Sequence, residues 1–425
     1  PYVAALRPQL VALLTDPTPA VREAAAQAVG VLAGAEEGGA RTDLAEGLME
    51  RLDGARDDSE LEGAAQGLAA AITSVSEERR EELLAELLSR EAEPACRLGR
   101  LAALAHLPRA MAQQPGGGDA LAASLPLLEA ALADPGEKVR AAGRRGFSAA
   151  IEAVQSQDVA AALSASLGAV LHTRDARVRV MAAELALELL PRRAATGEAR
   201  ASLVTAFVIA QADEVPDVRR AADRVFRAAA EAGTTPGKLL QQLKPLLLEA
   251  IMQDLGSGDD AAARTAGRAA ASLHQRLEAN GGLYEDLLPL IREGLGADPC
   301  EASRSTCAGL AEIIRSQKGA KVLRDPGLVS RLQAALFSGD ADLRGAAAAC
   351  AAAATAGAFV EELLQEVCAS SAGPTPDQLL GLEALLHADG KGGAALAALV
   401  AHASAPPHSG AQVACLPALA AAPPE

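Results

Sequence analysis

The side chains best suited to proton transfer or metal ligation near neutral pH are the six histidines, His106, His172, His274, His387, His402 and His408. They fall in separate segments, none belongs to an HExxH pair, and none has a carboxylate at metal-ligand spacing. The six cysteines, Cys96, Cys300, Cys307, Cys350, Cys368 and Cys415, include no pair at the two-residue spacing of a zinc or redox motif. They read as free thiols of a reducing compartment, with Cys300 and Cys307 seven apart on one face of a predicted helix and used for core packing. The glycines of QQPGGGDA (113–120) neither follow a strand nor open a phosphate-binding turn, and read as a linker loop. With no nucleophile elbow and no distinct carboxylate pair, the sequence calls for no catalytic residue, no metal, no cofactor and no small-molecule substrate.

What recurs instead is arginine. An acidic turn precedes an arginine in DPTPAVREAAAQAVG, DPGEKVRAAGRRGFSAA, RDARVRVMAAELAL, DEVPDVRRAADRVF, DPCEASRSTCAGLAEI and GDADLRGAAAACAAA. The arginines are Arg22, Arg140, Arg179, Arg219, Arg304 and Arg344, and Arg264 fills the largest gap in the second half, so neighbours lie about 40 residues apart. Two weaker copies occupy the space between Arg22 and Arg140, with Glu62 in the arginine position of one and Arg97 or Arg100 in the other; a degenerate tenth copy starts near Asp377. Stacked repeats bring equivalent positions one above another. The pairs Asp16 and Arg22, Asp134 and Arg140, Asp175 and Arg179, Asp298 and Arg304, and Asp340 and Arg344 are therefore expected to form a structural ladder, each arginine facing acidic groups of adjacent turns.

The elements that must position these turns are helices. Leucine recurs at three- and four-residue spacing in YVAALRPQLVALL, ALAASLPLLEAALA, KLLQQLKPLLLEAIM and YEDLLPLIREGL, and each string carries an interior proline, Pro8, Pro126, Pro245 or Pro289, expected to bend it. A second, alanine-rich helix follows each acidic turn, whose carboxylate can accept from free amides of the first helical turn. A period of about 40 residues, a proline-containing first helix and an Asp…Val-Arg turn together are the HEAT pattern. The fold class expected is all-α, an α-α superhelix of about ten helix-pair repeats stacked as a solenoid.

Composition agrees with thin layers. Half of the 425 residues are apolar, but only five Phe, two Tyr and no Trp are present, and a single core does not grow to this length. A net charge of −16 argues against broad wrapping of nucleic acid, and no apolar run of membrane-spanning length is found, so the reading is a cytosolic protein without a membrane partner. The opening inside a helical pattern and the Ala/Pro-rich end suggest a piece of something longer. The expected segments are HEAT repeats over 1–115, repeats with a partly basic edge over 116–199, repeats forming a partner-binding region over 200–345, and a degenerate, low-complexity end over 346–425. The basic edge rests on fourteen Lys and Arg against ten Asp and Glu between Lys138 and Arg227. Its members are Arg144, Arg145, Arg192, Arg193, Arg219, Arg220, Arg224 and Arg227, a surface for acidic protein or ribosomal RNA phosphates.

The segments 16–34, 62–72, 128–146, 175–190 and 286–317, with the GAAQGLA string and the GL…GLAEII pairing as the more specific elements, resemble the general control non-derepressible protein 1 family of HEAT-repeat translational activators. The resemblance covers residues 1 to about 320. It implies a non-enzymatic, ribosome-associated cytosolic scaffold that activates the kinase of initiation factor 2 alpha in amino-acid starvation, with the region near 200–320 receiving the RWD domain of that kinase. Arg264 and Arg268, one turn apart on one helix face, are the implied partner-binding residues, Arg264 on the ladder register and Arg268 free to reach a partner carboxylate. The competing class is a HEAT adaptor for tubulin, nuclear transport or a phosphatase; the absence of Trp at the turns speaks against the first.

Overall fold

The computed structural model describes residues 2–35, 39–88, 94–111, 117–231, 234–277, 282–296, 300–316, 319–353 and 375–389. Among them every regular element is helical and no strand occurs. In chain order the α-helices are α1 (Tyr2–Leu13), α2 (Pro19–Ala35), α3 (Gly39–Asp53), α4 (Asp58–Ile72), α5 (Glu77–Leu88), α6 (Pro94–Met111), α7 (Gly117–Leu132), α8 (Glu137–Ala153), α9 (Gln157–Val170) and α10 (Ala176–Leu189). They continue as α11 (Gly197–Ala210), α12 (Pro216–Glu231), α13 (Pro236–Leu255), α14 (Asp260–Leu277), α15 (Tyr284–Gly294), α16 (Cys300–Arg315), α17 (Pro326–Leu336), α18 (Ala341–Ala352) and α19 (Pro376–Asp389). A short 3-10 helix, Gly319–Arg324, precedes α17. From α1 to α10 and from α13 to α18, odd- and even-numbered helices pair as the hairpins expected from the period, and α19 falls where the degenerate tenth copy was expected.

The chain forms two compact units, divided after Val204 within α11. In the first unit the even-numbered helices α2, α4, α6 and α8 pack on one another in succession, while α5, α7 and α9 form a second row. The second unit repeats the scheme with α14, α16, α18 and α19 in one row and α13, α15 and α17 in the other. Each hairpin is amphipathic on its own and closes its apolar side only against its neighbours, the defining economy of repeat proteins.

Why these residues form these helices is visible at their ends. Asp57 accepts from the amides of Ser59 and Glu60 at the start of α4, and Asp175, Asp325 and Asp340 accept from first-turn amides of α10, α17 and α18. Pro8, Pro126, Pro245 and Pro289 are retained inside α1, α7, α13 and α15. The glycine-rich stretch read as a loop is helical from Gly117 onward, where it begins α7; residues 112–116 lie outside the described set, as do 354–374 and 390–425 of the Ala/Pro-rich end.

Small side chains on the even-numbered helices let backbones meet. A Cβ on Gly63 of α4 would fall 1.7 Å from the carbonyl oxygen of Leu14, and one on Gly267 of α14 would fall 2.1 Å from that of Gly309 in α16. Larger residues then fill the space between layers: Leu68, Ile72, Leu128, Phe147, Leu247 and Ile251 are completely buried. Gly63→Ala is accordingly expected to destabilise the chain by about 2 kcal/mol through forced backbone movement. Gly47→Ala in α3, where an added Cβ meets nothing within 4 Å, should stabilise it by up to about 1 kcal/mol. Urea denaturation of both variants followed by circular dichroism checks the opposite signs.

Candidate functional site

The turns between paired helices end with carbonyl groups that no helical amide can reach. Arginine supplies the donors. Nη1 of Arg22 donates to the carbonyls of Asp16 (2.8 Å) and Pro17 (3.1 Å), and Arg140 repeats this on Asp134 (2.8 Å) and Pro135 (2.6 Å). Arg179 donates to Thr173 (2.7 Å) and Arg174 (3.1 Å), Arg219 to Asp213 (2.8 Å) and Glu214 (2.9 Å), and Arg344 to Ser338 (2.6 Å). The arginine thus closes its own turn across a spacing of six residues, instead of facing an acidic group in the next layer as the ladder expectation had it.

The acidic residues do a different job, holding the turn by local acceptor bonds. Asp16 Oδ1 accepts from Thr18 N, Asp134 Oδ1 from Gly136 N and Asp213 Oδ1 from Val215 N, each at 2.8 Å. Asp175 and Asp340 sit four residues before their arginines and cap helices, so the expected ladder pairs mix two turn positions; Asp298 lies outside the described residues. Periodicity alone could not separate these registers.

The expected cross-layer contact does occur in the second unit at Arg304, which meets both a carbonyl and a carboxylate of the preceding turn. Gly258, in the left-handed region at φ 79°, presents its oxygen to Arg304 Nη2 at 3.1 Å, and Arg304 Nε lies 3.4 Å from Asp260. Arg268 reaches back in the same way. Its Nε donates to Ala212 O at 2.9 Å, in the turn of the preceding hairpin, and its Nη2 meets Thr265 Oγ1 at 3.2 Å. Arg264 instead is exposed, donating Nε to the carbonyl of Asp260. The roles expected for this pair are therefore exchanged: Arg268 is the stitch between layers, and Arg264 faces solvent.

Beside Arg268 the face of α12 and α14 is rich in cations. α14 packs closely along α16 but meets α12 sparingly, and arginine side chains cross that space. A cavity of about 400 Å³ there is lined by Gln211, Pro216, Arg219, Arg220, Asp223 and Arg276. Arg276 lies 5.2 Å over the Phe226 ring and donates Nη1 to Gln211 Oε1 at 2.9 Å. Desolvation against this surface pushes its pKa below the ordinary arginine value, with Asp223 pulling the other way. Of the remaining basic-edge residues in this unit, Arg227 pairs with Asp223 at 2.6 Å, Arg220 pairs with Asp217, and Arg224 is exposed. Arg276, in the last turn of α14, was not singled out from the sequence.

In the first unit Arg144 pairs with Glu184 at 2.9 Å, Arg192 donates Nε to Glu188 O at 3.4 Å, and Arg193 is exposed. Arg145 lies 3.9 Å from Glu62, the residue standing in the arginine position of its repeat. Glu62 Oε1 is 2.9 Å from His106 Nε2, so α4, α6 and α8 meet around one carboxylate. The His106 hydrogen bond, with the fields of Arg145 and Arg22, holds that carboxyl below the usual range against the opposing effect of burial.

Other reactive groups are occupied or shielded. His274 stacks on Tyr284 with ring centroids 3.7 Å apart and accepts from Leu283 N, and His387 lies 3.9 Å from Glu383. Burial pushes the Cys307 thiol to about 12 and that of Cys350 well up, so both are protonated near neutrality. Among the described residues no three potential ligands converge, and no helix is long and apolar enough to cross a membrane.

Paired helices closed by arginine at their turns define an α-α repeat array of the HEAT type, and the HEAT-repeat family model matches residues 6–34. Beyond that hairpin the chain is similar to the stalled ribosome sensor GCN1 of Mus musculus, 25% identical over 385 residues, and of Homo sapiens, 25% over 359 residues. It is also similar to the eIF-2-alpha kinase activator GCN1 of Dictyostelium discoideum, 26% identical over 395 residues. These alignments cover 82%, 76% and 82% of this chain but 14%, 13% and 14% of the relatives. The resemblance seen in the sequence strings thus extends over most of the chain, which spans about one-seventh of the length of these relatives. Solved structures that align along its length include an engineered protein (17% identity, TM-score 0.30, 97% of this chain and 98% of that one) and UNC-45 from Drosophila melanogaster (14%, 0.30, 98% and 62%).

Two outcomes follow from this geometry. Arg268→Ala should cost about 2 kcal/mol, since a charge-assisted bond to Ala212 O is lost, whereas Arg264→Ala should change the urea midpoint little. Glu62 contributes stability that is present above its unfolded value near 4.5 and is lost as pH falls through its depressed folded value. Glu62→Gln should therefore flatten the loss of stability below that pH, as read from unfolding midpoints across an acid titration.

Proposed function

We propose that this chain is a non-enzymatic HEAT-repeat scaffold in translational control, contributing surfaces for ribosome association and for the kinase of initiation factor 2 alpha in amino-acid starvation. The observation that carries this reading is the similarity to GCN1 proteins over 76 to 82% of the chain. The physical chemistry supports a scaffold, because a row of hairpins whose turns are closed internally keeps its outer side chains for partners. A cytosolic location accompanies ribosome association.

The kinase RWD domain docks, in this reading, on the face that carries Arg264, the exposed member of the Arg264 and Arg268 pair. The exposed arginines Arg193 and Arg224 are the contacts offered to ribosomal RNA phosphate or acidic ribosomal protein. An interfacial arginine meeting a carboxylate contributes about 2 kcal/mol on truncation. The 425-residue chain is expected to co-sediment with ribosomes through a sucrose cushion and to retain purified RWD domain in a pull-down. Arg264→Ala should weaken RWD binding about tenfold with the urea midpoint unchanged. A chain that stays in the supernatant and ignores the RWD domain overturns the reading.

A further inference from the structure

We propose that the cavity between α12 and α14 is a carboxylate-binding site that takes an acidic side chain from an extended peptide segment of a partner protein. The inference stands on the charges around this cavity and does not depend on the kinase reading above.

Three arginines line the cavity and Arg227 pairs with its Asp223, but these cations are not equally compensated. Arg227 holds Asp223 at 2.6 Å and Arg220 holds Asp217. Arg219 and Arg276 have neutral partners: two main-chain carbonyls for Arg219, and the Gln211 side-chain carbonyl for Arg276. Among the described residues neither lies within ion-pair distance of a carboxylate, although the Asp223 charge is felt at Arg276. Two guanidinium charges therefore line one cavity with no direct ion pair, Asp223 being the one carboxylate in its lining and held by Arg227.

Both are also held in place. Nη1 of Arg219 is fixed to the turn, and Arg276 is fixed by Gln211 and by the Phe226 face beneath it. Each guanidinium carries five N–H donors, so donors remain on both after these bonds are made. An anion entering the cavity meets preordered donors and loses little side-chain entropy in binding them. Gln211 ties the arrangement together, accepting from Arg276 and donating Nε2 to Asp223 Oδ1 at 3.3 Å.

The class of anion follows from what surrounds the donors. Asp217 and Asp223 stand beside the cavity, and the chain carries a net charge of −16. A polyphosphate backbone presents a continuous run of charge to that field and gains affinity only by neutralising many phosphates. A single Asp or Glu side chain needs only the two arginines, and the Pro216 wall offers an apolar surface for the methylene part of the segment.

The test uses the full 425-residue chain and a fluorescein-labelled Glu-rich peptide, with its Gln counterpart and a single-stranded uridine RNA as the other arms, read by anisotropy. The Glu peptide is expected to bind at least about tenfold more tightly than the Gln peptide or the RNA. Arg276→Gln should weaken Glu-peptide binding about tenfold. Arg220→Gln, an exposed change that leaves both fixed arginines in place, should weaken it less while keeping the wild-type urea midpoint. Arg193→Gln in the other unit should leave binding unchanged. Equal binding of Glu and Gln peptides, no detectable Glu-peptide binding, or RNA binding that is the tightest and is lost in Arg276→Gln overturns the proposal.

Discussion

The bond from an arginine guanidinium to the main-chain carbonyls of its own turn is the interaction on which the rest of this chain depends. The turn of a helical hairpin carries main-chain carbonyls that no helical amide reaches, and leaving them buried without donors costs free energy comparable to lost hydrogen bonds. Arg22, Arg140, Arg179, Arg219 and Arg344 each place Nη1 over these oxygens, and Arg22 and Arg179 are nearly buried in doing so. Small residues on the even-numbered helices then meet neighbouring backbone directly, as Gly63 of α4 does at Leu14, just after α1, and Gly267 of α14 at Gly309 of α16.

Much of this was legible in the residues. The 40-residue recurrence of Asp and Arg marked the hairpin as the unit, and Leu spacing against Ala-rich strings distinguished its first helix from its second. The partners of the arginines were not legible, because an acidic residue near an arginine suggests an ion pair in sequence, while in space Asp16 and Asp134 turn inward to their own amides. Arg264 and Arg268 show the limit most clearly. Their spacing places them on one face but says nothing of the neighbouring layer, and it is the Ala212 carbonyl that draws Arg268 inward. Arg276 escaped notice because its significance depends on Gln211 and Phe226, distant in sequence and brought together only by stacking.

This division between clamped and uncompensated arginines gives the scaffold its functional logic. Arginines bound to carbonyls build the array; those that lack a carboxylate partner, or stand free in solvent, are the ones proposed above as contacts for partners. The similarity to GCN1 proteins over most of the chain is consistent with that arrangement, since a scaffold for large assemblies requires extended, internally satisfied layers more than a pocket for chemistry.

The central claim is that the arginine acts on the backbone of its turn and not on the charge of the neighbouring aspartate, and comparison of Asp16→Asn with Arg22→Gln in urea unfolding tests it most directly. Asparagine keeps an oxygen able to accept from Thr18 N and leaves the Asp16 carbonyl in place for Arg22. The account predicts a change under about 0.5 kcal/mol for Asp16→Asn and a loss of about 2 kcal/mol for Arg22→Gln. Equal losses in the two variants would mean that an ion pair holds the turn, and would contradict it.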